Sequence, residues 1–195
     1  QVASKVFNVP LEEVTKEQRS AAKAVNFGIV YGISGFGLAE QLGISRKKAE
    51  NYINQYLEKY EGVKTFMNDI VEEAKEKGYV ETILGRRRPI LAINSRNKIE
   101  KAAAERIAVN SPVQGSAADI VKKAMLGVTQ ALKESGSKAK LLLQVHDELI
   151  FECPDDQKTI DETIALIKDK MENAVKLSVP LRVSVEYGKN WGEFH

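Results

Sequence analysis

The sequence lacks the residues that mark secreted or membrane-embedded proteins. Cys153 is the single cysteine among 195 residues, which excludes an internal disulfide and any zinc or redox site built from paired thiols. No apolar run approaches the roughly 18 residues of a membrane-spanning helix, and residues 1–5 lack the apolar stretch of a signal peptide. We therefore expect a cytoplasmic protein that does not bind a membrane.

The net charge is also small: at +2 it does not by itself indicate a nucleic-acid partner. Its distribution is more informative, because residues 85–106 carry seven cations and two acids, whereas residues 147–172 carry nine acids and three cations. A basic segment suits the phosphate backbone of a nucleic acid, and clustered carboxylates suit a hard metal ion. The two segments therefore favour different partners.

Hydrophobic spacing predicts an α+β fold with helices first and a sheet in the last third of the chain. We expect helices at 1–8, 15–31, 45–60, 63–77, 97–110, 116–132 and 156–177. We expect strands at 140–145, 148–152 and 181–187. We also expect a short hairpin around Gly85, in which residues 79–84 pair with the residues after Arg88, although Pro89 argues against a regular second strand. The helix that begins near residue 97 should stop near Pro112, because proline disfavours helical angles in the residue before it. The chain then divides into a helical subdomain, 1–100, and an α+β subdomain, 101–195.

Four residues spaced by four, Arg19, Lys23, Phe27 and Tyr31, form the most informative pattern. At about 100° per residue they share one face of a single helix, which a capping box at 15–18 begins. Two cations on that face can hold a phosphate chain, and a ring one turn further can cover a sugar or a base. The stripe predicts a nucleoside triphosphate ligand, although basic and aromatic residues at this spacing are also typical of a solvated edge beside a packed core.

A second motif is the polar group His146, Asp147 and Glu148, which has apolar residues on both sides. This pattern predicts a tight hairpin whose tip exposes two adjacent carboxylates. Carboxylate oxygens are ligands that Mg²⁺ prefers, but aspartate is also common in ordinary turns. The residues alone leave a metal site and a structural turn open.

A third motif places Arg106 and Asn110 on one helical face, with Gln114 just beyond Pro112. All three side chains carry hydrogen-bond donors. Such donors can reach the minor-groove acceptors, adenine N3 and thymine O2, which lie at similar places in every base pair and therefore report correct pairing without reading sequence. Asparagine and glutamine near a helix end are also common caps, so a structural role stays open.

These motifs, and their order along the chain, resemble those of family A DNA polymerases of the bacterial DNA polymerase I type. The resemblance covers nearly all of the chain and is carried by segments 19–32, 85–88, 104–115, 141–152 and 183–191. It implies a helical fingers subdomain, followed by the C-terminal part of a palm subdomain with a small antiparallel sheet and flanking helices. The implied activity is template-directed DNA synthesis, in which deoxynucleoside triphosphates are added to a primer 3′ end by two-metal nucleotidyl transfer.

The resemblance also implies roles at the reacting phosphates. Asp147 would bind catalytic Mg²⁺, with Glu148 close by as a weaker partner and His146 at the nucleotide. Arg19 and Lys23 would hold the triphosphate. Lys23 would also neutralise, and could protonate, the pyrophosphate as charge builds on it.

Other residues would contact the sugar and the DNA. Phe27 would lie against the incoming sugar, and in this family phenylalanine here implies poor acceptance of dideoxynucleotides. Tyr31 would stack near the templating pair. The implied contacts to primer-template DNA are Tyr31, Arg86, Arg87, Arg106, Asn110 and Gln114. Because Pro89 follows the arginines, which departs from the family pattern, Arg86 and Arg87 are assigned only to a positive patch.

One feature of the family is missing from the sequence. The family's other metal-binding aspartate lies in an Asp-Tyr-Ser-like strand motif before the fingers helix, and nothing before Arg19 matches it. Asp69 and Asp119 lie in helical patterns that match no metal motif. We therefore expect a fragment that is nearly inactive alone and acts with an upstream portion of the same polymerase: the remaining palm, the thumb and any exonuclease domain.

Two other functions fit part of the sequence. A single-subunit RNA polymerase of the phage type shares the helix with lysine and aromatic residues and the His-Asp hairpin tip, but Phe27 followed by Gly28 favours the DNA enzyme, as does the Arg106, Asn110 and Gln114 set. A non-enzymatic DNA-binding module would use the basic segment for the backbone and the carboxylates only for structure. Its mark would be salt-sensitive duplex binding that does not depend on magnesium.

Overall fold

The computed structural model describes residues 1–193, and helices make up most of its first 134 residues. The helices are α1 Val2–Phe7, α2 Lys16–Gly28, α3 Gly35–Leu42, α4 Arg46–Lys59, α5 Glu61–Lys77, α6 Lys98–Glu134 and α7 Gln157–Glu172. The strands are β1 Tyr79–Glu81, β2 Arg87–Pro89, β3 Lys140–Val145 and β4 Glu148–Glu152. Short 3-10 turns lie at Leu11–Glu13, Ile29–Tyr31 and Trp191–Glu193. Helices and small antiparallel sheets together confirm the α+β class.

The start of α2 follows the predicted capping box. The Thr15 hydroxyl accepts from the Gln18 N–H at 3.1 Å, and the Gln18 side-chain oxygen accepts from the Thr15 N–H at 3.1 Å. These two bonds satisfy amide donors that have no partner inside the helix. After Gly28 the chain continues through the 3-10 turn Ile29–Tyr31, called the Tyr31 turn below, and stops at Gly32, whose φ of 70° is left-handed.

Helix α3 was not predicted, because Gly32, Ser34 and Gly35 indicate only the end of the preceding helix. The structure shows that Ser34 caps a new helix there, since its hydroxyl accepts from the Gly37 N–H at 3.1 Å. Leu38 of this helix is fully buried in a core that α1, α2 and α4 share with it. Burial of this leucine side chain favours the helix by about 2 kcal/mol, which offsets the cost of helical glycine.

A second core lies between α5, the β1–β2 hairpin and the first part of α6. Val80, Ile93 and Ala108 are almost completely buried in it. β1 and β2 are antiparallel, with Tyr79 opposite Pro89. Pro89 is tolerated because it is the last residue of a short strand, and the chain beyond it is held by a bond from the Ile90 N–H to the Gly78 carbonyl.

The prediction that a helix stops near Pro112 is wrong. α6 runs without a break from Lys98 to Glu134, with Pro112 inside it. An interior proline costs a helix about 3 kcal/mol, so packing must compensate. Ala108 and Val109, just before the proline, are buried, and Val128 is fully buried further along the helix. Burial on both sides of the proline supports one helix where local rules predict two.

The chain forms two compact units, one from Gln1 to Gly115 and the other from Ser116 onwards. The second unit contains the β3–β4 hairpin, α7 and a core of Val128, Leu132, Ala139 and Ile167. Among the described residues no helix is both long and apolar enough to cross a membrane.

Two predictions in the second unit are wrong. The described residues contain no strand at 181–187, although burial alternates along this segment as it would in a strand. Strands β3 and β4 pair only with each other, so segment 181–187 does not add a third strand to their sheet. The Val183 N–H donates instead to the Glu172 carboxylate at 3.0 Å. Helix α7 ends at Glu172 and not at 177, because the Asn173 side chain bonds back to the Asp169 carbonyl at 2.9 Å.

Candidate functional site

The predicted stripe on α2 and the Tyr31 turn is a surface feature. Arg19 and Lys23 are exposed, and the rings of Phe27 and Tyr31 have relative exposures of 62% and 58%. The opposite face of α2 is buried through Val25 and its alanine neighbours. Exposed rings opposite a buried helix face are available for ligand contact, and they also fit the alternative of a solvated edge beside a packed core.

The far end of the stripe lines a cavity of about 370 Å³. Its walls are Tyr31, Arg88, Ala103, Arg106, Ile107, Asn110 and Ser111. Two guanidinium groups, a phenol ring and an amide therefore surround a space open to solvent. This chemistry suits a nucleotide, with cations for phosphate and a ring for stacking. The structure thus brings together Tyr31, Arg106 and Asn110, which lie far apart in the sequence.

Three predicted DNA contacts share one face of α6. Arg106, Asn110 and Gln114 follow one another by single turns on a continuous helix, which the predicted break at Pro112 would have interrupted. Arg106 and Gln114 are exposed, whereas Asn110 is half-buried. The Asn110 side-chain amide donates to the Val30 carbonyl at 3.1 Å.

The three arginines of the basic segment differ in their surroundings. The Arg86 side chain donates to the Gly115 carbonyl at 3.2 Å. Arg87 forms a 2.7 Å ion pair with Glu81, and the hydrogen bond of that pair raises the pKa of Arg87 further. Its guanidinium also lies 4.5 Å from the centre of the Tyr79 ring. Arg88, which lines the cavity, was not singled out from the sequence, where it was one of three adjacent arginines.

The β3–β4 hairpin has the predicted tight tip. Val145 pairs with Glu148, so His146 and Asp147 form a two-residue turn, and the side chains of His146, Asp147 and Glu148 are exposed. His146 adopts a left-handed φ of 54°, which costs a residue with a Cβ about 1 kcal/mol. The Gln144 side chain supports this backbone by donating to the His146 carbonyl at 3.1 Å. Two-residue hairpin turns commonly require a positive φ, so this angle follows from the turn that exposes the two carboxylates.

Comparison with known proteins identifies the family. Residues 1–193 match the model of DNA polymerase family A. The chain belongs to DNA polymerase family A. It is 54% identical to DNA polymerase I of Lactococcus lactis subsp. cremoris over 192 residues, which are 98% of this chain and 22% of that protein. It is also 54% identical to DNA polymerase I of Bacillus subtilis over 189 residues, 97% of this chain and 21% of that protein.

A solved structure matches this family A chain closely. It is described as the POL domain of Pol1 from M. smegmatis in complex with DNA primer-template and dNTP. The TM-score is 0.91 at 47% sequence identity, and the match covers 97% of this chain and 33% of that one. The chain therefore spans about a third of the matched structure and about a fifth of the length of these curated relatives.

The donor set of this family A chain fits magnesium in part. Within residues 1–193 no group of three or more histidine, cysteine, aspartate or glutamate side chains could hold a metal ion. Asp147 and Glu148 nevertheless offer adjacent carboxylates at an exposed turn. Magnesium in nucleotide-transfer sites is held by one or two carboxylates together with water and substrate phosphates. The hairpin tip therefore suits a metal that a nucleotide helps to bind.

Proposed function

We propose that this chain takes part in template-directed DNA synthesis, in which deoxynucleoside triphosphates are added to a primer 3′ end. The observation that carries the proposal is the exposed stripe on α2 and the Tyr31 turn, which presents two cations and then two rings. Family membership supports it, as does the likeness to a POL domain described with primer-template DNA and dNTP. In this proposal residues 1–100 provide the fingers and residues 101–195 part of the palm.

The stripe would act on the incoming nucleotide from phosphate to base. Arg19 and Lys23 bind the triphosphate, since cationic donors match phosphate oxygens in charge and hydrogen bonding. As the bond to pyrophosphate breaks, negative charge builds on the leaving oxygen, and Lys23 neutralises it and can donate a proton. Phe27 lies against the sugar, and Tyr31 stacks next to the templating pair.

The hairpin tip would bind the metal. Asp147 is the proposed Mg²⁺ ligand, Glu148 is its weaker neighbour, and His146 contacts the nucleotide. Magnesium at this place would stabilise charge on the attacking and leaving oxygens. We propose that the remaining ligands are phosphate oxygens and a carboxylate from the rest of the polymerase, which includes the remaining palm, the thumb and any exonuclease domain.

The face of α6 and the basic segment would hold primer-template DNA. Arg106 and Gln114 are exposed and can donate to minor-groove acceptors that every base pair offers. Arg86 and Arg87 belong to the positive patch beside them, with Arg88 as a further candidate. Backbone contacts of this kind make DNA binding dependent on salt concentration.

The family assignment supports this proposal over both alternatives. The match to DNA polymerase family A favours deoxynucleotide addition over the phage-type RNA polymerase. Exposed Phe27 and Tyr31 favour an enzyme over a DNA-binding module, because a module that uses only its basic segment has no use for two rings that follow Arg19 and Lys23 on an exposed stripe.

Primer extension tests the proposal in a chimera in which this chain replaces the 192 matching residues of the Lactococcus polymerase. The chimera should extend a primer with deoxynucleotides in magnesium and should not do so with ribonucleotides. Lys23→Ala and Asp147→Asn should each lower the rate by at least about 100-fold, because each removes charge stabilisation. Lys47→Ala, an exposed lysine on α4, is the matched control and should change little.

Two outcomes would contradict the proposal. One is a folded chimera that binds primer-template DNA but adds no nucleotide in magnesium. The other is extension that survives Lys23→Ala and Asp147→Asn together. The chain alone is expected to bind DNA without extending the primer.

A further inference from the structure

Asn110 is tied to the backbone of the Tyr31 turn. Its side-chain amide donates to the Val30 carbonyl at 3.1 Å, across 80 residues of sequence and in a partly buried place. Val30 precedes Tyr31 directly. The last carbonyls of a helix lack partners within the helix, so a side chain that donates to one of them holds the helix end in place.

Arg106, one turn earlier on α6, packs against Gly32, the residue after Tyr31. A Cβ atom built on Gly32 would lie 2.5 Å from Cγ of Arg106, so the arginine stem packs directly against the glycine backbone. Only glycine adopts the φ of 70° at this position without strain. The backbone before and after Tyr31 is therefore held by α6, while the ring itself remains exposed.

These contacts hold the backbone that carries the Tyr31 ring. The Tyr31 turn is closed by bonds from the Gly32 N–H to the Ile29 carbonyl at 3.2 Å and from the Ile33 N–H to the Gly28 carbonyl at 2.9 Å. These bonds close the turn on itself, and the Asn110 bond connects it to α6. Loss of that bond leaves the ring attached to a turn that can tilt.

We infer that Asn110 is a positioning residue, which fixes the Tyr31 turn and acts on the incoming nucleotide through the Tyr31 ring. This inference rests on the proposed function, in which Tyr31 lies next to the templating pair. It differs from the role of a minor-groove contact, because one amide N–H of Asn110 is already bound to protein. A minor-groove contact would act on DNA affinity, whereas a positioning residue acts on nucleotide addition.

Hydrogen exchange tests the first half of the inference on the chain itself. Asn110→Asp keeps the shape of the side chain and removes its donor, and Asn110→Ala removes the amide without adding charge. Both should speed exchange of the Gly32 and Ile33 amides by about tenfold, the effect of one lost hydrogen bond. Gln114→Ala, one turn further on the same helix, should leave this exchange unchanged. Unchanged exchange in both Asn110 variants would overturn the inference.

Kinetics of the chimera test the second half. Asn110→Ala should lower kcat/KM for the nucleotide by about tenfold and leave the Kd for primer-template DNA within about twofold. In a Tyr31→Ala background the same change should have no further effect, because the ring through which Asn110 acts is gone. Gln114→Ala should instead weaken DNA binding.

The outcomes separate the inference from the proposed function. A full effect of Asn110→Ala in the Tyr31→Ala background, or a loss confined to DNA affinity, would overturn the positioning role. A chimera that adds no nucleotide at all would contradict the proposed function, and the exchange experiment would still decide whether Asn110 holds the Tyr31 turn.

Discussion

The phenol of Tyr56 donates a 2.8 Å hydrogen bond to the side-chain oxygen of Asn26. Tyr56 is buried on α4, and Asn26 lies one residue before Phe27 on α2. This bond connects the helix that carries the stripe to the core beneath it. The helix that carries Phe27 is therefore tied to α4 by a residue that no ligand is expected to contact.

Removing that hydroxyl should destabilise the chain. Tyr56→Phe loses the bond to Asn26 and should lower the free energy of unfolding by about 1 kcal/mol, measured by urea denaturation at neutral pH. Tyr187→Phe, at an exposed tyrosine, is the control and should cost almost nothing. Equal stability of the two variants would show that the Tyr56 bond does not contribute.

The same residue predicts a dependence on alkaline pH. Burial raises the pKa of Tyr56, with a smaller contribution from the charge of Tyr60. The folded chain therefore favours the neutral phenol. Its contribution to stability is complete below about pH 10, the unfolded pKa, and is lost as the pH rises through the higher folded value. Tyr56→Phe should lose less stability than the parent chain over that range, as measured by denaturation at several pH values.

Alanine substitutions at two left-handed glycines should distinguish the cost of backbone strain from the cost of a steric clash. Gly32 and Gly43 have φ values of 70° and 65°, but a Cβ on Gly43 meets nothing within 4 Å, whereas one on Gly32 meets Arg106. Gly43→Ala should cost about 1 kcal/mol for the strained angle alone. Gly32→Ala should cost about 2–4 kcal/mol because it adds a clash. Equal losses in thermal unfolding would mean that Arg106 moves away without cost.

Because position 27 is phenylalanine and not tyrosine, we expect the chimera to discriminate against dideoxynucleotides. Phe27→Tyr adds a hydroxyl beside the proposed sugar site, where it can replace a polar contact that the missing 3′ hydroxyl leaves open. Incorporation of dideoxynucleotides relative to deoxynucleotides by the chimera should rise at least about tenfold, the value of one hydrogen bond. Phe36→Tyr, on the equally exposed ring of α3, should leave the ratio unchanged. A rise in both variants would show that the effect is not specific to the stripe.

The start of α7 should weaken in acid. The Asp156 carboxylate accepts from the Thr159 hydroxyl at 2.7 Å and from its N–H at 3.0 Å, and these bonds lower the pKa of Asp156. A lowered folded pKa means that this cap stabilises the chain above about pH 4, the unfolded value, and is lost as the pH falls through the folded value. Asp156→Asn keeps an acceptor that does not titrate. Its unfolding temperature should therefore fall less than that of the parent chain between neutral pH and about pH 3.

The local features of the fold could be predicted from neighbouring residues. The capping box at Thr15 and Gln18, the exposed stripe and the tight turn at His146 each depend on side chains a few positions apart. The hairpin around Gly85 was also predicted, but Pro89, which argues against a regular second strand, pairs with Tyr79 as the last residue of β2.

The errors arose where distant residues decide the structure. Pro112 remains in a helix because neighbouring turns of that helix are buried. Rules about proline consider only the residues next to it and therefore miss this burial. The bond from Asn110 to Val30 crosses 80 residues of sequence and had no sequence signal. Segment 181–187 alternates between half-buried and exposed residues as a strand does. A strand also needs a neighbouring strand to pair with, and the alternation does not show whether one is present.

The left-handed backbone at His146 also restricts which amino acids can be inherited there. Glycine, asparagine and aspartate tolerate such angles, whereas valine and isoleucine do not. A library randomised at this position and selected only for folding would lose the branched residues before any chemistry was tested. Drift at position 146 would therefore stay within a few small or polar residues, even under selection for folding alone.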